Sequence, residues 1–161
     1  MKTSLPARVA VATAAVAALL ATGCIAVDAS GADAGGKSAK SATSPVKVVY
    51  HLTNGLDEAQ RAIGNVRNHL AADPNARIVV VTNGNGIEFL LDGAKDRNGN
   101  PFEAAVQELK GRGVEFRVCN NTLVTRKIER TKVISEATIV TSGVAEAATL
   151  QARDGYVYLR P

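Results

Sequence analysis

The run Ala76-Arg77-Ile78-Val79-Val80-Val81-Thr82 most narrows the folds open to this chain. Successive side chains of a strand point to opposite faces, so consecutive aliphatic residues need cover on both sides. That is the pattern of a central strand in a parallel sheet. Before it, Leu56, Ala59, Ile63, Val66 and Leu70 recur at helical spacing until Asp73-Pro74-Asn75 halts them. Further strands are expected at 45–52, 114–118, 136–141 and 156–159. Helices are expected at 101–111, 122–130 and 142–152, with a short one at 87–91 and a polar excursion at 92–100. Strands separated by helices make an α/β fold, a three-layer α/β/α arrangement with a mainly parallel five-stranded sheet. Periodicity leaves the strand order open.

The first part of the chain has a different character. Lys2 and Arg8 lead an apolar stretch from Val9 to Leu20, short of the roughly 20 residues that span a bilayer. Residues 1–23 therefore read as an export signal, which places the protein in the periplasm or anchored on the periplasmic side of a membrane. Leu20-Ala21-Thr22-Gly23-Cys24 resembles a bacterial lipobox, making Cys24 a candidate for lipidation, and ordinary cleavage near Val27-Asp28-Ala29 is the competing reading. Residues 24–45 are mostly small or polar and form a flexible tether, leaving 46–161 as one domain. The formal charge of +4 falls to +2 once Lys2 and Arg8 leave, with 17 basic against 15 acidic residues. Those charges are interspersed, so no nucleic-acid footprint is present.

With Cys24 removed or lipidated, Cys119 is left as an unpaired thiol in an exported chain. Val114, Phe116 and Val118 alternate with Glu115 and Arg117, and Asn120-Asn121-Thr122 then supplies helix-capping residues. Cys119 thus falls where a strand hands over to a helix, and amides of a first helical turn favour a thiolate. Arg117, Arg126 or Lys127 could add a cation, and His51, at the end of the first strand, could orient or deprotonate the thiol. Asn54, Asn83, Asn120, Asn121 and Ser142 fall in loops beyond strand ends, where α/β sheets bind ligands. His69 reads as a solvated or helix-terminal residue.

Cys119 and His51 are too few for a metal site. The segment around Asp96, Asn98 and Gly99 lacks two calcium ligands, having Ala94 and Ala105 at their places. Asn83-Gly84-Asn85-Gly86 could hold an anion on its amides but lacks the Lys and Ser/Thr of a phosphate loop. No cofactor is expected.

The residues Gly113-Val114-x-Phe116-x-x-Cys119-x-Asn121-Thr122-Leu123 and Thr141-Ser142-Gly143-Val144-Ala145-Glu146 resemble the DsrE/DsrF-like sulfur-relay family, and most nearly its exported, single-subunit branch. The resemblance covers 46–161. It implies a small α/β/α domain that forms oligomers and a cysteine, here Cys119, that takes a sulfane sulfur as a persulfide. A sulfur carrier of the sulfurtransferase kind is implied, with donors and acceptor thiols, on proteins or small molecules, as partners. Two other functions compete: a non-catalytic oligomeric module binding a small anion or an envelope partner, and a thiol redox sensor.

Overall fold

The computed structural model describes residues 44–161. The expected export signal, the candidate lipidation site at Cys24 and the expected tether up to residue 43 lie outside the described residues. The chain runs β1 (Lys47–Leu52), α1 (Leu56–Ala72), β2 (Arg77–Thr82), a 3-10 segment (Gly84–Leu90), α2 (Phe102–Gly111), β3 (Glu115–Cys119) and α3 (Asn120–Thr125). A 3-10 turn (Arg130–Lys132), β4 (Ala137–Val140), α4 (Gly143–Ala152) and β5 (Val157–Leu159) follow. All four strand pairings are parallel, in the order β4-β3-β2-β1-β5. The expected three-layer α/β/α class is therefore the observed one.

The order explains the layers. From β1 to β4 the chain steps in one direction across the sheet, and then it returns to the far side of β1. Crossovers of constant hand put helices on the opposite face when the direction reverses. Accordingly α1, α2 and the first 3-10 segment bury Ile63, Val66, Leu70, Val106, Leu109 and Phe89 with Val48, Tyr50, Ile78 and Val80 on one face. On the other, α4 sets Ala147 and Leu150 on Val49, Val79 and Val81, with Tyr156 packed beside them. Phe89 is the centre of the larger core, edge-to-face with Phe102 at 5.7 Å and Phe116 at 6.2 Å. Each such pair adds about 0.5–1.5 kcal/mol beyond burial.

Two segments depart from their sequence expectation. The expected helix at 122–130 stops at Thr125 because Lys127 adopts φ 56°. The Lys127 amide then donates to the Val124 carbonyl and the Ile128 amide to the Leu123 carbonyl. This is the double closure usually built on glycine, and it returns Ile128 to the core. The helix expected at 87–91 is a 3-10 segment starting earlier, at Gly84. It lies so close to β1 that a Cβ on Gly86 would collide with the Leu52 carbonyl. The excursion after it is a polar turn: the Asp96 carboxylate accepts from the Asn98 and Asn100 amides.

A buried carboxylate fixes the β1–α1 loop. Glu58 is 1% exposed and accepts hydrogen bonds from the amides of Thr53 at 2.5 Å and Asn54 at 2.6 Å. Glu58→Ala should cost about 1–3 kcal/mol, since it strands these donors without a partner. Urea denaturation would measure it, and an unchanged midpoint would mean that the loop holds its shape without this carboxylate.

Candidate functional site

The loops after β3 and β4 leave the sheet toward opposite faces, one into α3 and the other into α4. The carboxyl ends of adjacent strands whose connections diverge are the usual ligand site of such sheets. Cys119, the last residue of β3, lies there, paired in register with Val140 of β4. It is the free cysteine among the described residues and is 4% exposed.

Its sulfur is held between two helix starts. Burial by itself raises the thiol pKa, but hydrogen bonds from the Gly143 amide, the Thr122 hydroxyl, and the Thr122 and Asn121 amides outweigh it. The net effect is a pKa below that of an ordinary cysteine. The Gly143 amide opens α4, while those of Asn121 and Thr122 belong to the first turn of α3. Gly143 is needed for so close an approach. A Cβ there would lie 2.9 Å from the Thr82 carbonyl oxygen and 3.1 Å from Cys119 Cβ. The Thr122 hydroxyl is aimed by a second bond: its oxygen accepts from the Gly84 amide at 3.0 Å, which leaves its proton for the sulfur.

The residues expected at the site divide into groups. The Asn121 amide donates to the Thr141 carbonyl at 3.3 Å and lies near enough to the sulfur to help lower its pKa, and Ser142 caps α4 by accepting from the Ala145 amide at 3.4 Å. Asn120 follows Cys119 directly, and its side-chain oxygen accepts from Arg130 at 2.8 Å. Asn83 lies on the other side of Gly143, where an added Cβ would come within 3.3 Å of its own. Asn54 is elsewhere, tied to Glu58 by its amide and its side chain. His51 is not among the groups that touch the sulfur. Its Nε2 donates to Asn83 Oδ1 at 2.8 Å, and its Nδ1 accepts from the Tyr158 hydroxyl at 3.1 Å. Two strand spacings, roughly 10 Å, separate β1 from β3. His51 can thus brace Asn83, and through it the site, but cannot take the thiol proton directly.

The cation expected beside the thiolate is also absent from its contacts. Arg117 bridges Glu146 of α4 and Glu115, and Arg126 pairs with Glu88 at 2.9 Å. Amides and one hydroxyl, rather than a charge, stabilise the sulfur. Sequence reasoning missed Gly143 and the hydroxyl of Thr122 as sulfur ligands, because without the strand order nothing sets the start of α4 beside β3. No cluster of three or more metal-ligating side chains occurs among the described residues.

The thiolate fraction can be read from alkylation. The rate of reaction with iodoacetamide should rise with pH to a midpoint below the ~8.5 of a free cysteine. Thr122→Val should move that midpoint upward and Thr122→Ser should restore it; a midpoint indifferent to both would refute the hydroxyl's role. The native pKa lies below the unfolded one, so the thiolate's stabilisation is complete above the unfolded value and is lost as pH falls through the native one.

Comparison with known proteins agrees with this fold. The chain's fold matches a solved protein of unknown function, MTH1491 from Methanobacterium thermoautotrophicum, with a TM-score of 0.63 and 30% identity, over 72% of this chain and 99% of that one. It also matches the ychN protein of E. coli with a TM-score of 0.55 and 15% identity, over 71% of this chain and 99% of that one, a likeness of fold. No curated protein matches the chain. The sequence model of the DsrE/DsrF-like family covers residues 47–161, the whole of the sheet and its helices, and the chain belongs to that family.

Proposed function

We propose that the protein is an exported sulfur carrier that holds sulfane sulfur as a persulfide on Cys119 and passes it to an acceptor thiol. The observation that carries this is the placement of Cys119 at the end of β3, against Gly143 at the start of α4, where nearby donors lower the thiol pKa, in a family generally associated with sulfur relay. In the first step the Cys119 thiolate attacks the outer sulfur of a donor such as thiosulfate. A new S–S bond forms, the donor's S–S bond breaks, and sulfite leaves with the electron pair. In the second, an acceptor thiolate attacks the outer sulfur and Cys119 departs as thiolate.

The same donors serve both steps. A low pKa raises the attacking fraction at neutral pH and makes the departing thiolate a better leaving group. Neither step needs a cofactor or an external oxidant, since the transferred sulfur keeps its oxidation state. Export to the periplasm, with or without a lipid on Cys24, and assembly into a homo-oligomer belong to the same proposal, on the strength of the leading sequence and the family.

Incubation with thiosulfate or a polysulfide, followed by mass spectrometry of the intact protein, is the test. The chain should gain sulfur atoms on Cys119, removable by a thiol, and Cys119→Ser should gain none there. No mass gain under conditions that load an authentic persulfide carrier would overturn the proposal, and unimpaired function of Cys119→Ser in its host would favour a binding module.

A further inference from the structure

Beside the sulfur, the segment 124–132 carries an unbalanced surface. Lys127, Arg130 and Lys132 are exposed and form no ion pair among the described residues. Glu129 is the acidic residue within the segment, and Asp92 adjoins it through its amide on the Lys132 carbonyl. Arg130 is folded back onto the side chain of Asn120, the residue directly after Cys119. Val124, two residues beyond the sulfur ligand Thr122, is 68% exposed, the most exposed large aliphatic residue described. The remaining cations around the site are matched, Arg126 within the segment by Glu88 and Arg117 outside it by Glu115 and Glu146.

We infer that this surface docks an acidic, cysteine-bearing protein segment, which presents its thiol to Cys119 with an apolar side chain on Val124 and carboxylates on Lys127, Arg130 and Lys132. The inference rests on Cys119 being the sulfur that is handed on, and it names the class of acceptor. Charge complementarity selects an acidic occupant. Three cations spread over six residues exceed what one small inorganic anion can engage, and such an anion has no use for an exposed valine. A long-range field of this kind speeds encounter more than it tightens the complex.

The test uses the full chain with Cys24→Ser, which leaves one thiol, converted to its mixed disulfide with 2-thiopyridine. A peptide thiolate attacks the Cys119 sulfur, the S–S bond to the pyridine breaks, and pyridine-2-thione is released and followed by absorbance. The probes are cysteine peptides of one length and one leucine, flanked by Asp, Ser or Lys, each normalised to its rate with free dipyridyl disulfide. The acidic peptide should outpace the basic one by about tenfold or more at low salt, and the gap should close as salt is added. The K127E/R130E/K132E variant should invert the order. Val124→Ser should slow the peptides and not mercaptoethanol.

An absence of preference, or a preference that the charge reversal leaves in place, overturns the inference. So does an equal preference for mercaptoacetate over mercaptoethanol, which would mean small-anion steering. The readout requires no persulfide. A chain that selects the acidic peptide but never gains sulfur refutes the proposed function alone, and one that loads sulfur without selecting among peptides refutes the docking surface alone.

Discussion

The contact on which the site depends is that of Gly143 with the end of β3. A hydrogen in place of a side chain lets α4 begin against the Thr82 carbonyl and Cys119 Cβ, and so brings an amide onto the sulfur. With α3 starting directly after Cys119, donors from two helix starts lie near the sulfur and lower its pKa. The sulfur satisfies them best when ionised. Structure and reactivity thus share a cause: the close approach that Gly143 permits also favours the thiolate.

This arrangement needs a stiff frame. The larger core, built on Phe89 and on α1 and α2, holds one face of the sheet, while α4 covers the other with Ala147 and Leu150. So little apolar area under α4 gives the Arg117 bridge to Glu146 a positional part: it joins the first turn of α4 to β3 two residues before the sulfur. Arg117 is half-buried there, where an ion pair is screened less than on the open surface. Sequence proximity suggested Arg117 as the thiolate's counter-ion, yet its alternation along β3 puts it near two carboxylates that claim it first.

Much of the fold was legible because both periodicities are strong. The 3.6-residue repeat of Leu56, Ala59, Ile63, Val66 and Leu70 gave α1 its full extent, and the aliphatic run to Thr82 gave the central strand. The junction at Cys119 was legible for the same reason. The premature end of α3 was not, since a lysine in a left-handed conformation leaves no mark in the sequence, whereas a glycine there would have. His51 was suggested by its place at a strand end, as Cys119's is, but the strand order sets it two strands away, with Asn83 and Tyr158 occupying its ring. Gly143 and Cys119 meet because β4 lies beside β3, and no local pattern encodes which strands are neighbours.

One consequence follows from every strand running the same way. Lys47, where the chain enters the sheet, is level with Arg77, and Cys119 is level with the opposite tips of those strands. About six residues of strand, roughly 20 Å, separate the two levels. Anything fastened ahead of Lys47 is joined to the domain at its back. The end of the sheet that carries Cys119 is therefore not the end at which the chain enters it.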